Sequence, residues 1–409
     1  MTDFEKFIIE HADEEPAELL LHKDKWPYVD IIQAANTIGC RKRLKHKVPE
    51  WYEATSLVYP DTLCAEQCSS TETAFYKASI AKSVIGSSQG RIADITGGLG
   101  IDSWAFSSVA SQVFYNEMKP ALVKAAINNF KILEINNISI SNETIDIDNI
   151  ETLLYDFKPD LIFMDPARRS QSGKKLFLIE DCSPDILTLK DKLLSICNHI
   201  MVKLSPMADI SMVAERFGRE VREIHIIGSK GECKELLVIM EAGWKAGYSL
   251  IVYDSGHSLE ISREHEKKQP VKYIQSLDDV LGKILVQPGK ALMKTGRFNY
   301  MSSEFDMSKL GVSTHLYITD NIPRDLNGFC KFFKVIDLHK LDSKSLKSVG
   351  KQYVMASVTA KNIPMKSEEL RKRMKTSDGG NIHIFGVHID NIGNYLLITE
   401  VSTQFNSKD

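Results

Sequence analysis

The amino-acid sequence predicts an α/β protein built on a Rossmann-like, doubly wound and mostly parallel sheet, with an N-terminal helical domain before it and small C-terminal α+β domains after it. Three observations carry that reading. Seven short apolar runs appear from Arg91 onward, the first five separated by longer helical patterns; a glycine-rich turn directly follows the first run. The chain has 409 residues, enough for two to four domains at roughly 100 to 200 residues each. With 43% hydrophobic and 26% charged residues, the composition excludes a disordered, fibrous or membrane-embedded chain.

From Phe4 to about Ile85 the texture is helical with turn breaks. Pro16 starts a helix, Trp26-Pro27 breaks the pattern, and Val29, Ile32 and Ala35 recur at helical spacing between Tyr28 and Cys40. The apolar runs that follow read as strands over Arg91 to Thr96, Gln112 to Glu117, Ile138 to Asn142, Leu161 to Asp165, His199 to Leu204, Val221 to Ile227 and Glu235 to Met240. The linker from Gly228 to Lys234 is too short for a helical crossover, so the last two strands are expected to be antiparallel. After Gly256 the polar stretch Ser262 to Gln269, closed by Pro270, reads as a linker, with mixed helices and strands beyond it to about Gly350. A final unit then runs as a strand over Tyr353 to Ala360, a basic helix over Ser367 to Met374, and a hairpin from Ile382 to Val401 turning at Asp390 to Asn394. No internal repeat or low-complexity segment is visible.

The formal net charge of -3 excludes a protein that holds nucleic acid by bulk positive charge. The charge is nevertheless uneven, because Glu260 to Asp409 carries 23 basic against 17 acidic residues, which leaves the rest acidic. Seven cysteines without regular spacing, and an opening with two acids in its first five residues, point to a reducing cytoplasm. No apolar run approaches the ~18 residues that span a bilayer, so no membrane association is expected. Cys64 and Cys68 form a C-x3-C pair, but Thr71 stands where a third cluster cysteine would be needed, and no metal is expected.

The informative string is Asp94-Ile-Thr-Gly-Gly-Leu-Gly-Ile-Asp102, placed between a strand and a helix beginning near Ser103. Gly97, Gly98 and Gly100 remove the side chains that would keep a ligand off the backbone, at the carboxyl edge where open parallel sheets bind ligands. Glu117, at the end of the second strand, is a carboxylate suited to accept hydrogen bonds from both hydroxyls of a ribose. Together these indicate a nucleoside. Ser103 stands where a dinucleotide fingerprint wants its third glycine, which weakens an NAD reading.

D-I-T-G-G-L-G instead resembles the first motif of class I S-adenosylmethionine (SAM) methyltransferases, with Thr96 in place of the first glycine, as in some rRNA methyltransferase families. The resemblance implies that the loop backbone together with Asp94, Thr96 and Asp102 holds the aminoacyl part of SAM and that Glu117 holds the ribose. It also implies that Asp146, or as second choice Asp148, faces the adenine amino group; solvated loop acids are the plain alternative for that pair. The fourth strand ends Asp165-Pro166-Ala167-Arg168-Arg169, resembling the fourth motif of enzymes that methylate nucleobase nitrogens. There a carboxylate and a Pro-fixed carbonyl accept protons from an amine and aim its lone pair at the methyl group. Ala167 departs from the usual second proline, which leaves the acceptor class open. No cysteine follows the fifth strand, so covalent activation of a carbon is not expected. Arg168 and Arg169 have two equal readings, contacts to a substrate anion or ion pairs to nearby acids. The stretch Ser170 to Lys175 suggests a mobile clamp.

The whole arrangement, including S-S-T-E-T-A-F-Y-K from Ser69 to Lys77, resembles a bacterial methyltransferase family with a C-terminal THUMP-like domain. That resemblance implies four parts: an N-terminal helical domain (1–75), a seven-stranded class I SAM methyltransferase domain (76–250), a ferredoxin-like domain (251–345) and a THUMP-like domain (346–409). Because THUMP domains serve RNA-modifying enzymes, it implies tRNA or rRNA as the substrate; the D-P-A-R-R resemblance implies methylation of a nucleobase nitrogen, with oxygen as the second choice of acceptor. The alternatives are a methyltransferase acting on a protein or small molecule, and a SAM-binding RNA-binding module without turnover. Two basic clusters, Arg41 to Lys47 and Arg371 to Lys375, are candidate phosphate contacts or plain solvated faces. Glu72 and Lys77 are candidate caps on the cofactor, with a surface pair as the plainer alternative.

Overall fold

The fold was analysed in a computed structural model that describes residues 2–86, 89–168, 179–261 and 271–401, without the side chain of Arg168. The chain divides into two compact units, Met1–Ile224 with Glu235–Tyr248, and His225–Lys234 with Ser249–Asp409.

In the first unit, six helices precede the sheet: α1 (Asp3–Glu10), α2 (Pro16–Leu21), α3 (Ile31–Leu44), α4 (Pro49–Glu53), α5 (Thr62–Gln67) and α6 (Thr71–Ile85). Their starts follow local chemistry. Thr2 and Glu5 close a capping box on α1, and the side chains of Asp30, Asp61 and Ser70 cap α3, α5 and α6. Gly86 ends α6 in the left-handed conformation. Phe7, Ile8, Leu19, Ile31, Ala34 and Ile38 form the buried core of the first helices.

The sheet region runs β1 (Arg91–Asp94), α7 (Ile101–Ser107), β2 (Gln112–Asn116), α8 (Pro120–Ile132), β3 (Ile138–Ser141), α9 (Ile150–Leu154), β4 (Leu161–Met164), β5 (Ala167–Arg168), β6 (Cys182–Ser183), α10 (Ile186–Ile196), β7 (His199–Leu204), α11 (Ile210–Phe217), β8 (Val221–Ser229) and β9 (Glu232–Glu241). The large strands lie in the order β8-β9-β7-β4-β1-β2-β3. β1 pairs in parallel with both β2 and β4, and β7 pairs in parallel with β4 but antiparallel with β9. All seven expected strands form, and β8 and β9 are a hairpin turning through Lys230 and Gly231, both at positive φ as a two-residue turn requires. One feature was not foreseen. Ala167–Arg168 pairs antiparallel with Cys182–Ser183 in a separate two-stranded ribbon just past β4. Two residues on each side are too few to leave a periodic signal.

The second unit carries the hairpin β10 (Ser249–Asp254) and β11 (His257–Ile261), followed by β12 (Lys272–Tyr273), β13 (Ile284–Pro288), α12 (Lys290–Lys294), α13 (Tyr300–Glu304), β14 (Ser308–Lys309), β15 (Tyr317–Thr319), β16 (Cys330–Lys340), α14 (Ser343–Gln352), β17 (Ser357–Lys361), α15 (Ser367–Met374), β18 (Ile382–Ile389) and β19 (Gly393–Val401). An eight-stranded sheet in the order β12-β14-β15-β13-β16-β19-β18-β17 runs through residues 272–401. The long strand β16 pairs with β13 on one side and β19 on the other. The basic helix and the final hairpin form as expected. The strand expected from Tyr353 instead begins at Ser357, because α14 runs to Gln352 and Tyr353 closes it with its N–H on the Val349 carbonyl. The expected linker at Ser262 to Pro270 lies outside the described residues.

Candidate functional site

At the carboxyl ends of β1, β2 and β4 the turn after β1 is held in place by hydrogen bonds from three directions. The Gly97 N–H donates to the Asn116 carbonyl (2.7 Å), the Tyr115 hydroxyl donates to the Gly98 carbonyl (2.6 Å), and the Gly98 N–H donates to the Glu117 carboxylate (3.0 Å). Glu117 accepts a second bond from the Lys119 N–H (2.9 Å). Its carboxylate is thereby oriented, with acceptor capacity remaining. Two of the glycines are sterically required. A Cβ on Gly97 would lie 2.1 Å from the Tyr115 ring, and Gly100 combines φ +95° with a Cβ position 2.7 Å from Phe130. Because the Tyr115 ring is tethered through its hydroxyl, Gly97→Ala is expected to destabilise the fold by about 1–3 kcal/mol, read as a lower denaturation midpoint with unchanged m-value.

Asp94 ends β1 and is almost fully buried, at 1% exposure. It accepts a 2.5 Å bond from the Ser103 hydroxyl and one from the Thr96 N–H (3.2 Å). Burial pushes its carboxyl up to about 8, against those bonds and with the help of Asp102 and Asp165 nearby. Ser103, which stands where a dinucleotide fingerprint has a glycine, is the partner that locks this acid. Thr96 has an equally specific task. Its hydroxyl accepts the Asp165 N–H at 2.6 Å, tying the glycine turn to the end of β4, a bond that a glycine at this position has no side chain to make.

Asp165 follows β4 directly and its side chain is half-buried; Pro166 is buried, and Ala167 is exposed in the ribbon with Ser183. The Asp165 carboxylate accepts a 2.6 Å bond from Lys203 Nζ, from β7. Lys203 stands 3.8 Å from Glu235 on β9, Glu235 lies 2.9 Å from Lys77 on α6, and Lys77 lies 2.9 Å from Asp102. Ser69 joins in, accepting from Lys77 (2.6 Å) and donating to Asp102 (2.9 Å). Burial drives the Asp165 carboxyl up while Lys203 pulls it down, and the balance remains above its ordinary value. For Asp102 the outcome reverses: burial raises it, but Lys77 and Lys203 together hold it below the usual range. Burial also opposes the charge on Lys203, yet Asp165, Glu235 and Asp102 keep it protonated well above the normal lysine range.

Lys203 and Glu235 carry no signal in the sequence beyond that of strand residues. Lys77 is neither half of a surface pair nor exposed; its ammonium is fully buried between two carboxylates. Asp102 is accordingly held by Ser69 and Lys77. Asp146 and Asp148 are both exposed, and Asp146 uses its carboxylate on the Asp148 and Asn149 N–H groups (both 2.9 Å), forming the turn that leads into α9. The backbone of Arg168 is in the ribbon, while Arg169 and the expected clamp at Ser170 to Lys175 lie outside the described residues.

Part of the amino-terminal basic cluster is engaged within the protein, while Lys45 and His46 are exposed. Lys42 pairs with Glu15, Arg43 with Glu66, Lys47 donates to the Ala65 and Glu66 carbonyls, and the mostly buried Arg41 lies over the Tyr52 ring. In the carboxyl-terminal cluster Arg373 pairs with Glu369, whereas Lys372 and Lys375 are exposed. Among the described residues no helix is long and apolar enough to cross a membrane, and no group of three His, Cys, Asp or Glu side chains is arranged to hold a metal ion.

The solved structure of a candidate methyltransferase from Porphyromonas gingivalis W83 superposes with a TM-score of 0.84 at 28% identity, covering 98% of this chain and 97% of that one. The chain has the class I methyltransferase fold. That agrees with the resemblance read from the loop and the D-P-A-R-R string. Residues 285–326 match the model of a ferredoxin-like domain, and residues 330–400 match a THUMP domain-like model. More distant solved structures include an rRNA methylase from Streptococcus thermophilus (10% identity, 40% of this chain and 95% of that one, TM-score 0.30). Another is a tRNA m1G37 methyltransferase from M. jannaschii (18% identity, 42% and 49%, TM-score 0.28). No curated protein matches the chain.

Proposed function

We propose that this protein is a SAM-dependent methyltransferase that methylates a nucleobase nitrogen in structured RNA, tRNA or rRNA. The observation that carries the proposal is the junction at the sheet edge, where Thr96 bonds the glycine turn directly to Asp165, so that a cofactor-type loop and an acceptor-type carboxylate share one site. The residues there fit SAM. Gly97 and Gly98 present bare backbone, Glu117 offers an oriented carboxylate for ribose hydroxyls, and Asp94 is a buried acid that meets no lysine in the described contacts and would be matched by a cationic ligand. Asp94, Thr96, Gly97, Gly98, Gly100 and Glu117 are assigned to the cofactor. Asp102 supports them through Ser69 and Lys77. Asp146 and Asp148 keep only the adenine-facing role that the resemblance suggests.

Bound there, SAM supplies a methyl group made electrophilic by its sulfonium. The protein's part is to hold the acceptor in line, and such positioning is worth roughly 7–11 kcal/mol of the barrier. Asp165 accepts the N–H of the acceptor, the buried Pro166 fixes the chain beside it, and the Ala167–Arg168 ribbon braces that segment against Cys182–Ser183. The candidate methyltransferase from P. gingivalis supports the reaction, and the THUMP-like match supports RNA as the substrate. Methyl-labelled SAM incubated with total RNA from a strain lacking this gene is expected to label that RNA, and wild-type RNA far less. Label entering protein or small molecules but not RNA would replace the substrate class. SAM binding without any transfer would make the chain a binding module.

A further inference from the structure

The site contains a cation that the reading above does not use. Lys203 projects from β7 to the mouth of the site, 2.6 Å from Asp165 and 3.8 Å from Glu235, with 12% of its side chain exposed. Exposure falls along the chain of charges from Asp165 to Lys77 and rises again at Asp102. Lys77 is at 0%, Glu235 at 6%, Asp102 at 11% and Lys203 at 12%, whereas Asp165 reaches 37%. The network is therefore closed at Lys77 and most open to solvent at Asp165.

We infer that Lys203 is a positioning residue for methyl transfer, holding the Asp165 carboxylate ionised and aimed so that it accepts, rather than donates, a hydrogen bond at the acceptor. This rests on the reading of Asp165 given above. The charged groups around Asp165 act in both directions. Asp102 from α7 and Asp94 from β1 disfavour its charge, Lys77 from α6 favours it at longer range, and Glu235 from β9 draws part of Lys203's charge away. Lys203 is the one of these that touches the carboxylate. A protonated Asp165 would carry an O–H toward the acceptor and compete with its N–H. Glu235 and Lys77, anchored through Asp102 and Ser69, fix Lys203 from behind, so the ion pair links the acceptor side of the site to the turn that carries the glycines. Lys203 cannot itself take up a proton, because its three carboxylate neighbours keep it charged.

The test uses the full chain, labelled SAM and RNA from a strain lacking the gene, with Lys203→Met, Lys203→Gln and Lys203→Arg variants. Lys203→Gln retains a hydrogen-bond donor without the charge and serves if the methionine variant does not fold. The neutral variants are expected to lower kcat at pH 7 by about tenfold or more. The acid limb of their kcat profile should move up by about one pH unit or more, so that rate returns in alkali, while the Kd for SAM stays within about threefold. Lys203→Arg should keep the native profile. In an Asp165→Asn background, Lys203→Gln should add no further loss. Rate lost with an unmoved acid limb, or losses that simply multiply, would overturn the inference. Carbon NMR of the labelled Asp165 carboxyl reads the same linkage without turnover: its titration should move up in Lys203→Gln, and an unchanged midpoint refutes the inference even if no RNA is methylated. Full activity of Asp165→Asn would instead remove the reading of Asp165.

Discussion

The Asp165→Asn variant is expected to bind SAM normally and to turn over about 10²–10⁴-fold more slowly than the native protein. Asparagine keeps the shape of the side chain and leaves the backbone N–H in place for Thr96. What it loses is the charge, and with it the acceptor that an amine N–H can meet on either oxygen. Lys203 retains Glu235, so the substitution does not strand a buried cation. Single-turnover kinetics at saturating SAM, together with calorimetric titration of SAM, separate the two effects. Glu117→Ala is the complementary variant. It removes an oriented carboxylate from beside the glycine turn and releases the Gly98 N–H, so SAM affinity should fall on the order of 10²-fold while kcat at saturation changes little. Loss of binding in the Asp165 variant, with near-native turnover once saturated, would reverse the roles assigned to these two acids.

Asp94 is expected to set stability and cofactor binding against each other. Its folded-state value of about 8 lies far above that of an exposed aspartate, because the carboxyl is buried. Between pH ~4 and ~8 the folded chain therefore holds a proton that the unfolded chain has released. The contribution to stability is fully present below pH ~4 and is lost as pH rises through about 8, at up to about 1.4 kcal/mol per pH unit from this one group. Asp94→Asn should consequently melt higher than the native protein in the absence of cofactor at alkaline pH, and the two should converge in acid. Binding runs the other way. A cationic cofactor favours ionised Asp94, so native SAM affinity should improve by up to about tenfold per pH unit from pH ~6 to ~8, then level off, with release of a proton on binding. Calorimetry in buffers of different ionisation enthalpy measures that proton. Asp94→Asn should bind more weakly, without proton release and without the pH slope. A buffer-independent binding enthalpy and a flat pH dependence in the native protein would refute this account.

Much of this molecule was legible because the relevant signals are local. The strands of the sheet announce themselves as short apolar runs, and Gly97 and Gly100 stand where the turn needs bare backbone, a need the Tyr115 and Phe130 rings make explicit. The boundary at Tyr353 was not legible. Tyr353 to Met355 has strand composition, but packing of Leu346 and Val349 carries α14 up to Gln352 and delays the strand. Charge runs were also ambiguous. Arg41 to Lys47 reads either as phosphate contacts or as a plain solvated face, and Glu15, Glu66 and nearby carbonyls engage part of it, because a sequence gives the sign of a charge but not its partner.

By itself, then, the sequence determined the α/β class, the strands of the sheet and the loop chemistry of Gly97 to Gly100, since periodicity and backbone freedom act over a few residues. Only the tertiary structure decided which charges meet. It set Asp102 against Ser69 and Lys77 and placed Lys203 against Asp165. The physical reason is distance along the chain: Lys77 and Glu235 are separated by 158 positions, and no local pattern can register an ion pair that exists only once α6 has packed against the sheet that brings β4, β7 and β9 together.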